Sequence, residues 1–410
     1  MAKIGFYAGS FSPVTRGHLS IVCEALNDYE KVIVGIGVNG GKKQEYTLDE
    51  RRLMVDMSVN ELLFEYKNRC LTGRSYSCSE MAAFKRLLAE RDSVSVVGYQ
   101  GLTVDYALRC GATALIRGER IVGDHDGEMQ ASLLNKQILE VRKAHLSMAT
   151  IPVPREDMTY VSSSNVRNLC ALGEYVAARR YVTSSVHAFL MRRCLSGYFT
   201  ELLGEAGIAE PLARKCYARL VEAYGGNRCY HTLSHVAYML NYWRIMENLG
   251  HVCAENPSAL ALAVFYHDFV NGGKETDEKE SCRILREVGA DSELTAAAEK
   301  LIAATAHGKL PRDMTPDMAL IHDLDLAVLG DNVNYGSYAA GIRQEYRQYD
   351  DAAYKTGRIS ILNGLLSSGR IFLLPKFAEM FETDASRNLQ NELAYWSVSY
   401  THLRAHETRS

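Results

Sequence analysis

The sequence predicts two fold classes in succession: an α/β doubly wound parallel sheet in the first half and an all-α second half. Three observations carry that expectation. Short apolar runs alternate with amphipathic stretches through the first half, which is the rhythm of a parallel sheet. Strand-like runs vanish after about Tyr198 and long helical patterns replace them. The run Gly9-Ser10-Phe11-Ser12-Pro13-Val14-Thr15-Arg16-Gly17-His18 passes from a strand into a helix through small residues, as a phosphate-holding loop does.

Lys3–Tyr7 reads as the first strand. Gly9 and Ser10 then let the main chain approach a polyanion, and Pro13 fixes the turn. Leu19, Ile21, Val22, Ala25 and Leu26 mark the following helix, so His18 falls in its first turn, where free N–H groups favour negative charge. Lys31–Val38 is the next strand. Thr47-Leu48-Asp49-Glu50 is a capping box that starts a helix just beyond Lys42-Lys43. Strand Val94–Val97, the segment Val104–Cys110 and strand Ala114–Arg117 follow, and Ser162-Ser163-Ser164 precedes the helical run Val166–Leu172. Helical patterns at Ala259–Phe265, Glu293–Ala304 and Ala340–Tyr346 then dominate. The change of period puts a boundary at 190–198 and predicts domains at 1–193 and 198–396. Residues 398–410 read as a translated transposon-end sequencing adaptor appended to a truncated gene, and are set aside as a non-native tail.

At 410 residues two or three domains are expected. The net charge of −3 and the lack of a long Lys/Arg run exclude a basic nucleic-acid-binding field. Ten scattered cysteines with no C-x-x-C pair read as reduced thiols, and no leader or apolar span is evident. A cytoplasmic small-molecule enzyme, with no nucleic-acid or membrane partner, is the expectation.

Several separated motifs occur in order: Gly9-Ser10-Phe11, Thr15-Arg16-Gly17-His18, Lys42, Gly101-Leu102-Thr103-Val104-Asp105-Tyr106-Ala107, Arg117-Gly118-Glu119-Arg120, Asp124 with Glu128, and Val161-Ser162-Ser163-Ser164. Together they resemble the bacterial-type phosphopantetheine adenylyltransferases, in the nucleotidyltransferase superfamily with the H/T-x-G-H motif. The resemblance implies a Rossmann-like fold, ATP with Mg2+ and 4′-phosphopantetheine as substrates, and a homo-oligomer. It implies His18, Lys42, Arg117 and Arg120 as the catalytic clamp. Ser10, Lys42, Thr103 and Arg117 would line the phosphopantetheine side. Phe11, His18, Gly118, Glu119, Arg120, Glu128 and the segment from Met158 through Ser162, Ser163 and Ser164 would line the ATP side. The sequence departs from the family at Ser12, Glu119 and His125, and carries a long insertion over about 60–93. A cytidylyltransferase, and a scaffold whose ATP binding Glu119 has weakened, are the alternatives.

The second half carries Tyr230-His231-Thr232-Leu233-Ser234-His235, Phe265-Tyr266-His267-Asp268, Thr305-Ala306-His307 and His322-Asp323-Leu324-Asp325. Imidazoles with carboxylates suit a divalent transition metal such as Mn2+. These motifs, with Ile342-Arg343-Gln344-Glu345-Tyr346 and Thr356-Gly357-Arg358, resemble the HD superfamily of metal-dependent phosphohydrolases. The resemblance implies His235, His267, Asp268 and Asp325 as metal ligands, with Asp325 favoured over Asp323, and a phosphorylated small molecule as substrate. His231 and His307 would position phosphate, extend the site, or be satisfied structural histidines. A non-catalytic metal or ligand sensor is the opposing reading.

Overall fold

A computed structural model of the chain describes residues 2–38, 44–72, 76–119, 125–153, 161–274, 276–289, 291–306, 311 and 313–398. Two compact units divide it, the first comprising Met1–Lys67 with Ser75–His187 and the second Asn68–Arg74 with Ala188–Ser410. The division falls inside the helix Ser184–Glu205. No helix among the described residues is long and apolar enough to cross a membrane.

Five parallel strands form the core of the first unit: β1 (Ile4–Gly9), β2 (Lys31–Val38), β3 (Val94–Gln100), β4 (Ala114–Glu119) and β5 (Ser147–Pro152). Their order is β3-β2-β1-β4-β5, so the chain winds outward from β1 in both directions. The crevice between the C-terminal ends of β1 and β4 is therefore a topological switch point, where open parallel sheets take their ligands. Strand β5 has no apolar run to announce it. It is an edge strand with a single buried residue, Ile151, along Ser147–Pro152, and its sequence lacks the burial pattern of a central strand.

The insertion after β2 is helical: it completes Leu48–Lys67, adds Arg69–Thr72 and then Cys78–Ala89. Ser77 and Glu80 close a capping box on the last of these. Tyr66 stacks on Phe84 at 5.0 Å and Tyr76 meets both rings edge-on, which gives the insertion its own aromatic seam. Arg16, in the middle of the Thr15–His18 motif, is pinned by Glu65 through two hydrogen bonds of 3.0 and 3.2 Å and donates to the Val182 carbonyl. It is thereby a strut.

Beyond His187 the described residues of the second unit form helices joined by turns and loops, with no strand among them. At its centre Pro257–Tyr266 is buried from Ala259 to Tyr266, apolar on every side as a core helix must be. A buried ion pair, Arg358 with Glu392 at 2.8 Å, also takes in the Tyr335, Tyr338 and Trp396 polar atoms and joins three C-terminal helices. Because each charged group has several partners, the pair avoids the cost of an unsatisfied buried charge.

His187 is 1% exposed and donates from Nε2 to the Tyr175 carbonyl at 2.9 Å. Burial, with Arg179 nearby, pushes its imidazole down to about 3. The unfolded chain takes a proton here near pH 6.5 and the folded chain does not. The stability contributed is full above that pH and falls by about 1.4 kcal/mol per pH unit on acidification toward 3. Thermal melts between pH 7 and 4 should show a shallower acid slope for His187→Gln than for the parent chain. Parallel slopes would contradict this role.

Candidate functional sites

At the first site, β1 ends at Gly9 and the chain turns through Phe11, whose φ of +47° lies in the left-handed region. A bulky residue there is held at a conformational cost that the surroundings must offset. The Phe11 ring, 1% exposed, packs edge-on against Tyr7 at 5.4 Å and against His18 at 5.1 Å. What Phe11 presents to a ligand is main chain, while its ring supports His18 from behind.

His18 is the third residue of the helix Arg16–Asp28, and Thr15 caps that helix. The Thr15 hydroxyl accepts from the His18 amide at 3.4 Å, and the Thr15 amide donates to His18 Nδ1 at 3.0 Å. An Nδ1 that accepts carries no proton, so the neutral ring carries it on Nε2. The side chain is thereby set as a donor.

Three carbonyls of the loop are each tied to a donor elsewhere in the unit. Arg51, 2% exposed, donates to the carbonyls of Ser10 at 3.0 Å and Gly37 at 3.1 Å. Arg167 donates to the Ser12 carbonyl, and the Ser163 hydroxyl to that of Pro13 at 2.7 Å. Holding these carbonyl oxygens on protein donors lessens their repulsion of a bound phosphate. Neither Arg51 nor Arg167 was singled out in the sequence, where each is one arginine among many on a helical pattern.

Of the remaining expected residues, Ser10 is exposed at the loop and Arg117 and Gly118 lie at the end of β4 beside the switch point. A Cβ on Gly118 would collide with Ile21 Cδ1, which explains the glycine; Glu119 is exposed at the strand's last position. Thr103 starts the helix Thr103–Arg109 and shares a 2.8 Å hydrogen bond with the Tyr99 hydroxyl. Ser162 caps the helix Ser163–Ala171 by accepting from the Asn165 amide, and Ser164 accepts from Arg167 at 3.0 Å. Lys42, Arg120, Asp124, Met158 and His307 lie outside the described residues, as do the side chains of His125 and Glu128 and the tail 399–410.

At the second site, three helices converge. His235 stands in the first turn of Leu233–Asn248, His267 caps the core helix Pro257–Tyr266 with Asp268 next to it, and Asp325 is near the end of Pro316–Leu326. Ligand atoms of His235, His267 and Asp268 lie within 4.8 Å of one another. The two Nε2 atoms are 3.2 Å apart; Asp325 Oδ1 is 3.0 Å from that of His235 and Asp268 Oδ2 is 3.2 Å from that of His267. His267 Nδ1 donates to the Val264 carbonyl at 3.0 Å, and His235 Nδ1 is 3.1 Å from the Tyr230 hydroxyl. Both rings thus aim Nε2 at the shared centre.

Burial lowers the His235 imidazole, and Asp325 does not fully offset it. For His267 burial is outweighed by Asp268, raising the ring to about 9. Burial opposes ionisation of Asp325 as well, yet His235 and His267 hold it at about 2, and Asp268 is held well below the usual carboxylate range by His267 and His231. Two buried imidazoles with Asp268, half-buried, within 4.8 Å of both, and Asp325, also half-buried, against His235, make a donor set that fits a divalent cation of intermediate softness.

Asp323 sits elsewhere. It is fully buried and accepts from the amides of Leu373 and Leu374, at the start of helix Pro375–Val398, and from His322 Nδ1. Asp323→Ala should cost about 2 kcal/mol by stranding two partly buried amides while leaving divalent-cation affinity unchanged. Asp325→Ala should do the reverse. Chemical denaturation and Mn2+ titration of both variants check the pair, and reversed outcomes would exchange the two roles.

Residues 6–169 match the cytidylyltransferase-like family. The phosphopantetheine adenylyltransferase of Francisella philomiragia is 31% identical over 182 residues, which is 43% of this chain and 91% of that protein. That of Rhizobium meliloti is 33% identical over 189 residues, 46% of this chain and 96% of that protein. A solved structure, Plasmodium falciparum nicotinic acid mononucleotide adenylyltransferase complexed with NaAD, aligns at 15% identity over 45% of this chain and 91% of that one, with a TM-score of 0.24. With about a third of residues identical across nearly the whole length of such relatives, the chain belongs, through its N-terminal part, to the phosphopantetheine adenylyltransferase family.

Proposed function

We propose that the first unit transfers the adenylyl group of ATP to 4′-phosphopantetheine, forming dephospho-coenzyme A and pyrophosphate. The observation that carries this reading is the donor-set His18 in the first turn of the helix that follows β1, beside the switch point. A terminal phosphate is largely a dianion near neutral pH, its second pKa being about 6. One of its oxygens attacks the α-phosphorus of ATP without a general base; the bond from that phosphorus to the bridging oxygen breaks and pyrophosphate leaves. The chain's task is to align two polyanions and stabilise the charge that builds on the α-phosphate. His18 Nε2–H donates to an α-phosphate oxygen, and Lys42, Arg117 and Arg120 offset the remaining charge, with Mg2+ arriving on ATP.

His18→Ala should lower kcat by about 10² to 10³-fold with ATP affinity almost intact, as for the loss of one transition-state donor. Pyrophosphate release measured with magnesium, phosphopantetheine and each nucleoside triphosphate checks the whole reading. Preference for CTP would favour a cytidylyltransferase, in line with the breadth of the matched family. No release with any triphosphate would sink it.

For the second unit the reading is a metal-dependent phosphohydrolase whose His235, His267, Asp268 and Asp325 hold a divalent cation. Such an ion supplies Lewis-acid activation of a phosphoester. The four side chains would hold it between two buried imidazoles, with the half-buried carboxylates on the side open to substrate and solvent. Phosphatase activity with added manganese should appear across a phosphoester panel and vanish in Asp268→Ala. Metal binding with no turnover on any ester would favour the sensor reading instead.

A further inference from the structure

An arginine beside a metal centre is ordinarily read as a phosphate ligand. Arg228 stands beside this one, yet its described donors are directed elsewhere. Nη1 donates to the Asp268 carbonyl at 2.7 Å and to the His231 carbonyl at 3.3 Å, and Nη2 donates to the Phe269 carbonyl at 2.9 Å. Its guanidinium lies over the Tyr224 ring at 5.1 Å, and the Tyr224 hydroxyl donates to the Phe265 carbonyl at 3.0 Å. One cation thus spans the segment that leads to His235 and the turn that carries His267 and Asp268.

Glu345 does the complementary work on the same segment. Its Oε1 accepts the amides of Cys229 and Tyr230, both at 2.7 Å, and of His231 at 2.9 Å. Its Oε2 takes His231 Nδ1 at 2.6 Å. A carboxylate gathers three backbone amides and an imidazole N–H, and a guanidinium gathers three carbonyls, so residues 228–231 are clasped from both polarities. Tyr230, inside that clasp, is the residue whose hydroxyl lies against His235 Nδ1.

We infer that Arg228 and Glu345 are positioning residues for the metal centre, acting by locking the 228–231 segment onto the His267–Asp268 turn. The inference rests on the reading of the His235–His267–Asp268–Asp325 cluster as a metal site. Loss of an outer partner of this kind lowers metal affinity by about 10 to 100-fold. Arg228 contributes no phosphate contact in this account.

The test is Mn2+ binding to the full chain, followed by the electron paramagnetic resonance of free and bound ion at low temperature, with folding checked by circular dichroism. Arg228→Met and Glu345→Gln should each weaken binding about 10 to 100-fold and alter the bound-ion spectrum. Arg228→Lys, which retains a cationic donor, should recover part of the loss and serves as the test variant if Arg228→Met does not fold. Affinity and spectrum unchanged in folded Arg228 and Glu345 variants, while Asp268→Ala abolishes binding, would overturn the inference and leave the metal reading intact. No Mn2+ binding by the parent chain would overturn both.

Discussion

The Thr15 amide donates a hydrogen bond to His18 Nδ1, and the chemistry proposed for the first unit depends on which nitrogen that leaves protonated. A histidine can act as base, acid, ligand or donor; a backbone N–H on one nitrogen removes most of those options before any substrate arrives. The rest of the loop serves the same end. Phe11 adopts a left-handed backbone to slide its ring beneath His18, and Arg51, Arg167 and Ser163 restrain the carbonyls of Ser10, Ser12 and Pro13. The cost of that conformation is offset by buried aromatic contact and by three hydrogen bonds from elements remote in sequence.

The second unit uses the same side chain with the opposite polarity. His267 Nδ1 donates to a carbonyl where His18 Nδ1 accepts from an amide. In the neutral ring this exchanges the character of Nε2, which carries a proton in His18 and a lone pair in His267. One backbone partner per histidine therefore suits the first ring to the phosphate role and the second to the metal role proposed above.

Much of this was legible in the residues. Periodicity located β1 through β4 and the helical second half, and the order of short motifs pointed to His18 and to the end of β4. Strand β5 was missed because an edge strand needs no apolar alternation. Arg51 and Arg167 were missed because their work is done on main-chain carbonyls far away in sequence, and a carbonyl leaves no trace in a residue's identity. Glu345 appeared only as part of a motif, with its role unassigned. The pair Asp323 and Asp325 shows the limit well: two carboxylates two positions apart on one helix, one caps a helix about fifty residues on and the other meets His235.

The burial of the helix Pro257–Tyr266 has a dynamic consequence. From Ala259 to Tyr266 the segment has no exposed face and cannot fray into solvent, so those amides exchange with deuterium only when the surrounding bundle opens as a whole. The His267 amide, bonded to the Ala263 carbonyl at 2.8 Å, belongs to that segment. The turn bearing His267 and Asp268 is therefore anchored at the slow end of the unit's motions, and the geometry of the centre persists for as long as the bundle does.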